Sequence, residues 1–168
     1  MSGTWAKLGG LLLPALMLWM GAARAAAPAE VCRPTALDGS GAISLKAYQG
    51  RFLYLDFWAS WCPPCRKSFL FMNDLQQELG DRGLEILAIS VDERQEQARG
   101  FLERVPADFA VAIDSSGHCP EAFEVQGMPS SYLIGPDGSV VFRHTGFKAS
   151  DATGLQERIL RALERAGG

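Results

Sequence analysis

Histidine is almost missing from this chain: His118 and His144 are the only two in 168 residues. A structural zinc site needs four ligands, and there is no second C-x-x-C to help supply them, so no metal centre is expected. His118 beside Cys119 is the one local metal candidate, and it offers two ligands only. No stripe of Lys and Arg with interleaved aromatics occurs, and the net charge is −3. A phosphate backbone needs clustered cations, so nucleic acid is excluded as a partner. No tract is rich in Met or His, and no internal repeat appears. Low complexity is confined to the Ala-rich stretch near residue 25. Long apolar runs are absent too, with one exception at the N-terminus.

What is present suits a single globular domain: 48% apolar and 21% charged residues, an ordinary balance for a chain with a hydrophobic core. The exception is the run Leu8–Met20, preceded by Lys7 and followed by small residues. Ala23-Arg24-Ala25 has an A-x-A cleavage pattern, so residues 1–25 read as an export signal cut near Ala25. The run falls short of the roughly 20 residues that span a bilayer, which makes an uncleaved inner-membrane anchor the second reading. Cys32, preceded by Ala29-Glu30-Val31, lacks a lipobox. Removing Lys7 and Arg24 from the 16 basic residues leaves 14 against 19 acidic ones, a formal charge of −5. Residues 26–34 read as an N-terminal segment and 35–168 as the folded domain. Export leads to the periplasm, an oxidising compartment where disulfides persist.

Residues 35–50 hold short strand candidates and turn residues. Phe52–Trp58 is nearly all apolar, as a strand buried on both faces should be; Asp56 is its one polar residue. Phe69, Met72, Leu75 and Leu79 recur at helical spacing, predicting a helix from about Pro63 to Leu79, with prolines at its start and Gly80 and Gly83 ending it. Leu84–Val91 is the next buried strand. A helix over Arg94–Val105, a strand over Phe109–Ile113 and a short helix near Pro120–Phe123 follow. Ser131–Ile134 and Val140–His144 flank the turn Gly135-Pro136-Asp137-Gly138 as a hairpin. Asp151–Ala166 closes as an amphipathic helix. The alternation predicts an α/β fold of three layers, a mixed central sheet with helices on both faces.

Cys62 and Cys65 follow a buried strand and open a helix. Free N–H groups and the positive end of the helix dipole stabilise a thiolate there. Cys62 is then placed to attack a disulfide and Cys65, one turn deeper, to resolve the mixed disulfide. The competing reading, half of a zinc site, lacks its other half. Asp56, in an apolar strand, should be pushed up by desolvation. It is either a proton acceptor for Cys65 or a strand-end acid bonded to solvent. Met128-Pro129 could be cis and aim its backbone at a peptide, although most X-Pro bonds are trans.

The run Phe57-Trp58-Ala59-Ser60-Trp61-Cys62-Pro63-Pro64-Cys65-Arg66 resembles the active-site segment of thioredoxin-like proteins, and is most similar to the exported TlpA/ResA-like thiol–disulfide oxidoreductases. Val125-Gln126-Gly127-Met128-Pro129-Ser130-Ser131-Tyr132-Leu133-Ile134 resembles that family's cis-proline segment, and Pro136-Asp137-Gly138 with Val140-Val141 its closing hairpin. The resemblance covers about residues 31–166. It implies a thioredoxin-like fold, with Cys62 as attacking thiol, Cys65 as resolving thiol, Asp56 as buried acid, and Trp61, Met128 and Pro129 around the substrate. It implies no dissociable cofactor. It implies reduction of protein disulfides in cytochrome c or copper-site maturation, fed by a membrane reductase of the DsbD or CcdA kind. Two departures stand out. Thioredoxins set a Lys beside the buried acid, and Leu84–Val91 has none. Many TlpA-like proteins follow the second Cys with Glu and Pro, where this chain has Ser68 and Leu70.

Cys32 and Cys119 either form a second, structural disulfide or remain two separate thiols. Other functions stay open for the same cysteines: a Cu(I) metallochaperone, since soft thiolates bind Cu(I), or a disulfide oxidase or isomerase. A peroxiredoxin-type peroxidase is disfavoured, because no Pro-x-x-x-Thr-x-x-Cys run surrounds Cys62.

Overall fold

A computed structural model describes residues 28–166. The export signal read over residues 1–25 lies outside the described residues. In chain order the elements are α1 (Pro28–Val31), β1 (Thr35–Ala36), β2 (Phe52–Trp58), α2 (Cys65–Leu79), β3 (Leu84–Ser90), α3 (Gln95–Leu102), β4 (Ala110–Ile113), α4 (His118–Ala122), β5 (Ser130–Ile134), β6 (Val140–Thr145) and α5 (Ala152–Ala166).

The six strands form one sheet in the order β1-β4-β3-β2-β5-β6. The β2–β3 and β3–β4 pairs are parallel, and the other three are antiparallel. The sheet is therefore mixed, as the alternation of helices and strands predicts. All seven residues of β2 are buried, which fits its place at the centre. Successive side chains of a strand point to opposite faces. Tyr54 and Trp58 face one apolar layer, with Phe69, Met72 and Leu75 of α2, Phe101 of α3 and Leu155 and Ile159 of α5. Leu53, Leu55 and Phe57 face the other, with Cys32, Leu45, Cys119 and Phe123. The stripe Phe69–Met72–Leu75–Leu79 is buried as its spacing predicts.

Boundaries shift by a residue or two at most ends. The larger difference is α3, which stops at Leu102 rather than Val105. Arg104 and Val105 both donate their N–H to the Phe101 carbonyl, at 3.0 Å each, and Pro106 follows, so the chain tightens and leaves the helical path. Gly83, at φ 91°, turns the chain from α2 into β3, a left-handed conformation that suits glycine. The β1 strand sits at the sheet edge, antiparallel to β4.

Candidate active site

The site is built where β2 runs out. Buried Trp58 ends that strand and packs edge-on against Phe69 of α2, with ring centroids 4.8 Å apart, and against Phe101 at 4.6 Å. This aromatic floor fixes the start of α2 under the connecting loop. In the loop, Cys62 donates its N–H to the Ala59 carbonyl at 3.1 Å, and Cys65 donates to the Cys62 carbonyl at 3.2 Å. Pro63 and Pro64, between the cysteines, have no N–H to leave unpaired.

The Cys62 and Cys65 sulfurs are bonded at 2.08 Å. Cys65 is the first residue of α2, whereas Cys62 lies three residues ahead of it. In this disulfide form Cys62 is 4% exposed and Cys65 0% exposed. Of the pair, Cys62 alone keeps a small opening. Trp61, its neighbour, is 65% exposed.

Asp92 ties this loop down, and sequence reasoning passed over it. Its buried carboxylate accepts from the Ser60 N–H at 3.2 Å and 3.0 Å, one to each oxygen. It also accepts from the Ser60 hydroxyl at 2.9 Å and the Ser90 hydroxyl at 2.8 Å. The signal was present as an acid just beyond a buried strand, beside a serine in the cysteine run.

Asp56 is wholly buried, so the solvent-bonded, strand-end reading is replaced by one in the sheet interior. It shares the face of Tyr54 and Trp58, the face on which α2 lays Cys65. Burial pushes its carboxyl up to about 7, opposed only by a hydrogen bond from Ser131. The opposite residue on β3 is Ala88, so no lysine faces it there.

The Met128–Pro129 peptide is cis. Phe57 pairs with Ser130, which puts Pro129 one step on, level with the end of β2 where the cysteine loop begins. Among the described residues, the main-chain N–H and carbonyl of Met128 have no hydrogen-bond partner. Trp61, the cysteines and the Met128-Pro129 segment thus gather at one end of the sheet.

Cys32 and Cys119 do not join them. They are bonded to each other at 2.12 Å on the opposite face, and both are 0% exposed. The bridge links the residue just after α1 to α4, and the Cys119 N–H donates to Asp114 at 2.6 Å. His118 contacts the Ser116 hydroxyl at 3.0 Å, and His144 lies 3.5 Å from Asp151. All four cysteine sulfurs are engaged in the two disulfides.

Comparison with known proteins fits this arrangement. Residues 22–158 match the Redoxin family model. The chain belongs to the Redoxin family. It is 36% identical over 107 residues to the thiol–disulfide oxidoreductase ResA of Bacillus thuringiensis subsp. konkukian (strain 97-27), covering 64% of this chain and 61% of that protein. The chain thus spans about three fifths of that relative's length. It also resembles a crystal structure from Chlorobium tepidum described as a thiol:disulfide interchange protein DsbE, at 40% identity and TM-score 0.76, covering 80% of this chain and 94% of the other. The Mycobacterium tuberculosis dsbF structure, at 20% identity and TM-score 0.71 over 80% of this chain and 97% of the other, shares the fold. This Redoxin chain therefore has a thioredoxin-like architecture.

Proposed function

We propose that this protein is an exported thiol–disulfide oxidoreductase that reduces disulfides of protein clients through Cys62 and Cys65. One observation carries the reading: two cysteines bonded at the entry to α2, the outer one with an opening and the inner one with none. Once reduced, Cys62 is held by helix α2 in a setting that favours its thiolate. Its sulfur attacks a client disulfide, one client sulfur leaves as thiolate, and a mixed disulfide forms. Cys65 then gives its proton to Asp56 and attacks the Cys62 sulfur. The second client sulfur departs as thiolate, and the two electrons of the cysteine pair now reside in the client. A carboxyl that titrates near neutrality suits this proton transfer. The unpartnered main chain of Met128 offers an extended client segment a place to pair, with Trp61 as an apolar contact beside it.

Residues 1–25 would direct export to the periplasm, and a membrane reductase of the DsbD or CcdA kind would restore the thiols. Cytochrome c or copper-site maturation would supply the clients. Among the described residues, no helix is long and apolar enough to cross a membrane.

The direction of exchange is tested by the reduction potential of the Cys62–Cys65 pair in glutathione buffers, with insulin reduction as the activity. A reductase should lie well below the roughly −120 mV of the strong oxidant DsbA and should reduce insulin. A potential near that value would instead mark an oxidase.

A further inference from the structure

Asp56 has a single hydrogen-bond donor among the described residues, and that donor makes its two oxygens unlike. The Ser131 hydroxyl donates to Oδ1 at 2.7 Å, while Oδ2 is buried without a partner. The sheet builds this pairing, because the register sets Ser131 directly opposite Asp56. Residues directly opposite in an antiparallel pair point to the same face with their side chains close together. Ser131 is buried as well, so water does not compete for Oδ1.

The other polar groups on this face come from every element around it. Tyr54, on the same strand, has its phenol pushed up by burial and by Asp56, with Ser131 and Arg158 of α5 acting in the opposite sense. His144 sits opposite Ser131 on β6 and lies 3.5 Å from Asp151. The loop before α2 contributes Cys62 and α2 itself Cys65, and β3 contributes the uncharged Ala88. Of all these, only Ser131 favours the ionised form of Asp56, against burial.

We propose that Ser131 is a positioning residue for the resolving step: it engages Oδ1 as an acceptor and so presents Oδ2 as the oxygen that takes the Cys65 proton. The proposal rests on the exchange chemistry above. In the step, the Cys65 S–H bond breaks and an Oδ2–H bond forms. The Cys65 sulfur keeps the electron pair, bonds to the Cys62 sulfur, and the partner sulfur leaves as thiolate. Without the Ser131 hydroxyl the ionised carboxylate loses its one stabilising donor, and Asp56 holds its proton more tightly.

The reduced full chain is mixed with dithiobis(nitrobenzoate), and thionitrobenzoate release is followed in stopped flow. Attack by Cys62 releases the first equivalent and resolution by Cys65 the second. The pH profile of the second phase is compared for wild type, Ser131→Thr, Ser131→Val and Asp56→Asn. Thr and Val share a shape and differ in the hydroxyl, so crowding affects both alike. Ser131→Thr should keep the wild-type midpoint. Ser131→Val should raise it by about one pH unit, a loss of about fivefold at neutral pH that is recovered in alkali. The first phase should be unchanged, and Ser131→Ala carries the same expectation as Val without added bulk. Equal midpoints in Thr and Val, or Val and Ala variants with the wild-type midpoint, would overturn the role of Ser131 while leaving Asp56 as base. An Asp56→Asn profile that keeps the wild-type midpoint would remove the base itself, and this proposal with it.

Discussion

Burial of Asp56 gives the protein a pH-dependent stability whose sign can be worked out. Its carboxyl is pushed up to about 7 in the folded chain, from the ordinary carboxyl value of 3.8. Below both values each state holds the proton and Asp56 has no effect on stability. Between them the unfolded chain releases the proton while the native chain keeps it, so stability falls as pH rises. The loss is complete once pH exceeds the folded value, and amounts to something on the order of 4 kcal/mol. Asp56→Asn removes it. Urea unfolding of the oxidised protein should therefore show the Asn variant gaining on wild type from about pH 4 to pH 8; a constant difference would show that Asp56 does not titrate there. At this scale the sequence was partly legible. An acid in a run such as Phe52–Trp58 announces itself by contrast with its neighbours. Its partner Ser131 does not, because the strand register that joins them spans 75 residues of sequence.

At the scale of elements, the order of strands and helices could be read because period and punctuation agree along most of the chain. The stripe on α2 and the predominantly apolar strands β2 and β3 each have one reading. The pairing of β1 with β4 could not be read, because a two-residue strand carries no periodic signal. The Asp92 latch was hidden for a related reason: it joins two loop segments, and loop pairing leaves no pattern in either. Its importance can be measured. Asp92→Ala strips the Ser60 N–H and the Ser60 and Ser90 hydroxyls of their acceptor. The Ser90 hydroxyl becomes a buried orphan costing about 1–3 kcal/mol, and the half-buried Ser60 groups, which water partly satisfies, cost less, so urea unfolding should show a loss of roughly 2–4 kcal/mol. Insulin reduction should slow as well, because the loop bearing Cys62 is no longer held to β3. Unchanged stability and rate would mean that the latch is dispensable.

Across the whole molecule, the sheet separates two disulfides with different exposure. The Cys32–Cys119 bridge lies wholly buried and closes a separation of 87 residues. It pins α1 and the segment leading into β1 against α4. Cross-links over loops of this length are worth about 2–4 kcal/mol, mainly by restricting the unfolded chain. The double variant Cys32→Ala/Cys119→Ala should lose that much in denaturant unfolding yet keep its insulin-reduction rate. In the unaltered chain a mild dithiol should open Cys62–Cys65 well before Cys32–Cys119, as read by alkylation and peptide mapping. Simultaneous opening would contradict the division of labour. Sequence could place both pairs of cysteines as candidates. Only the fold could show that α1 and α4 meet on the face away from the reacting pair.

In the proposed mechanism exchange passes through the Cys62 sulfur, and one measurement tests this most directly. The reduced Cys65→Ala protein is mixed with insulin, and the products are mapped by mass spectrometry without reduction. One insulin chain should be found disulfide-linked to Cys62 and freed by a reducing agent. An insulin chain attached elsewhere, or no adduct while the protein remains folded, would contradict the account.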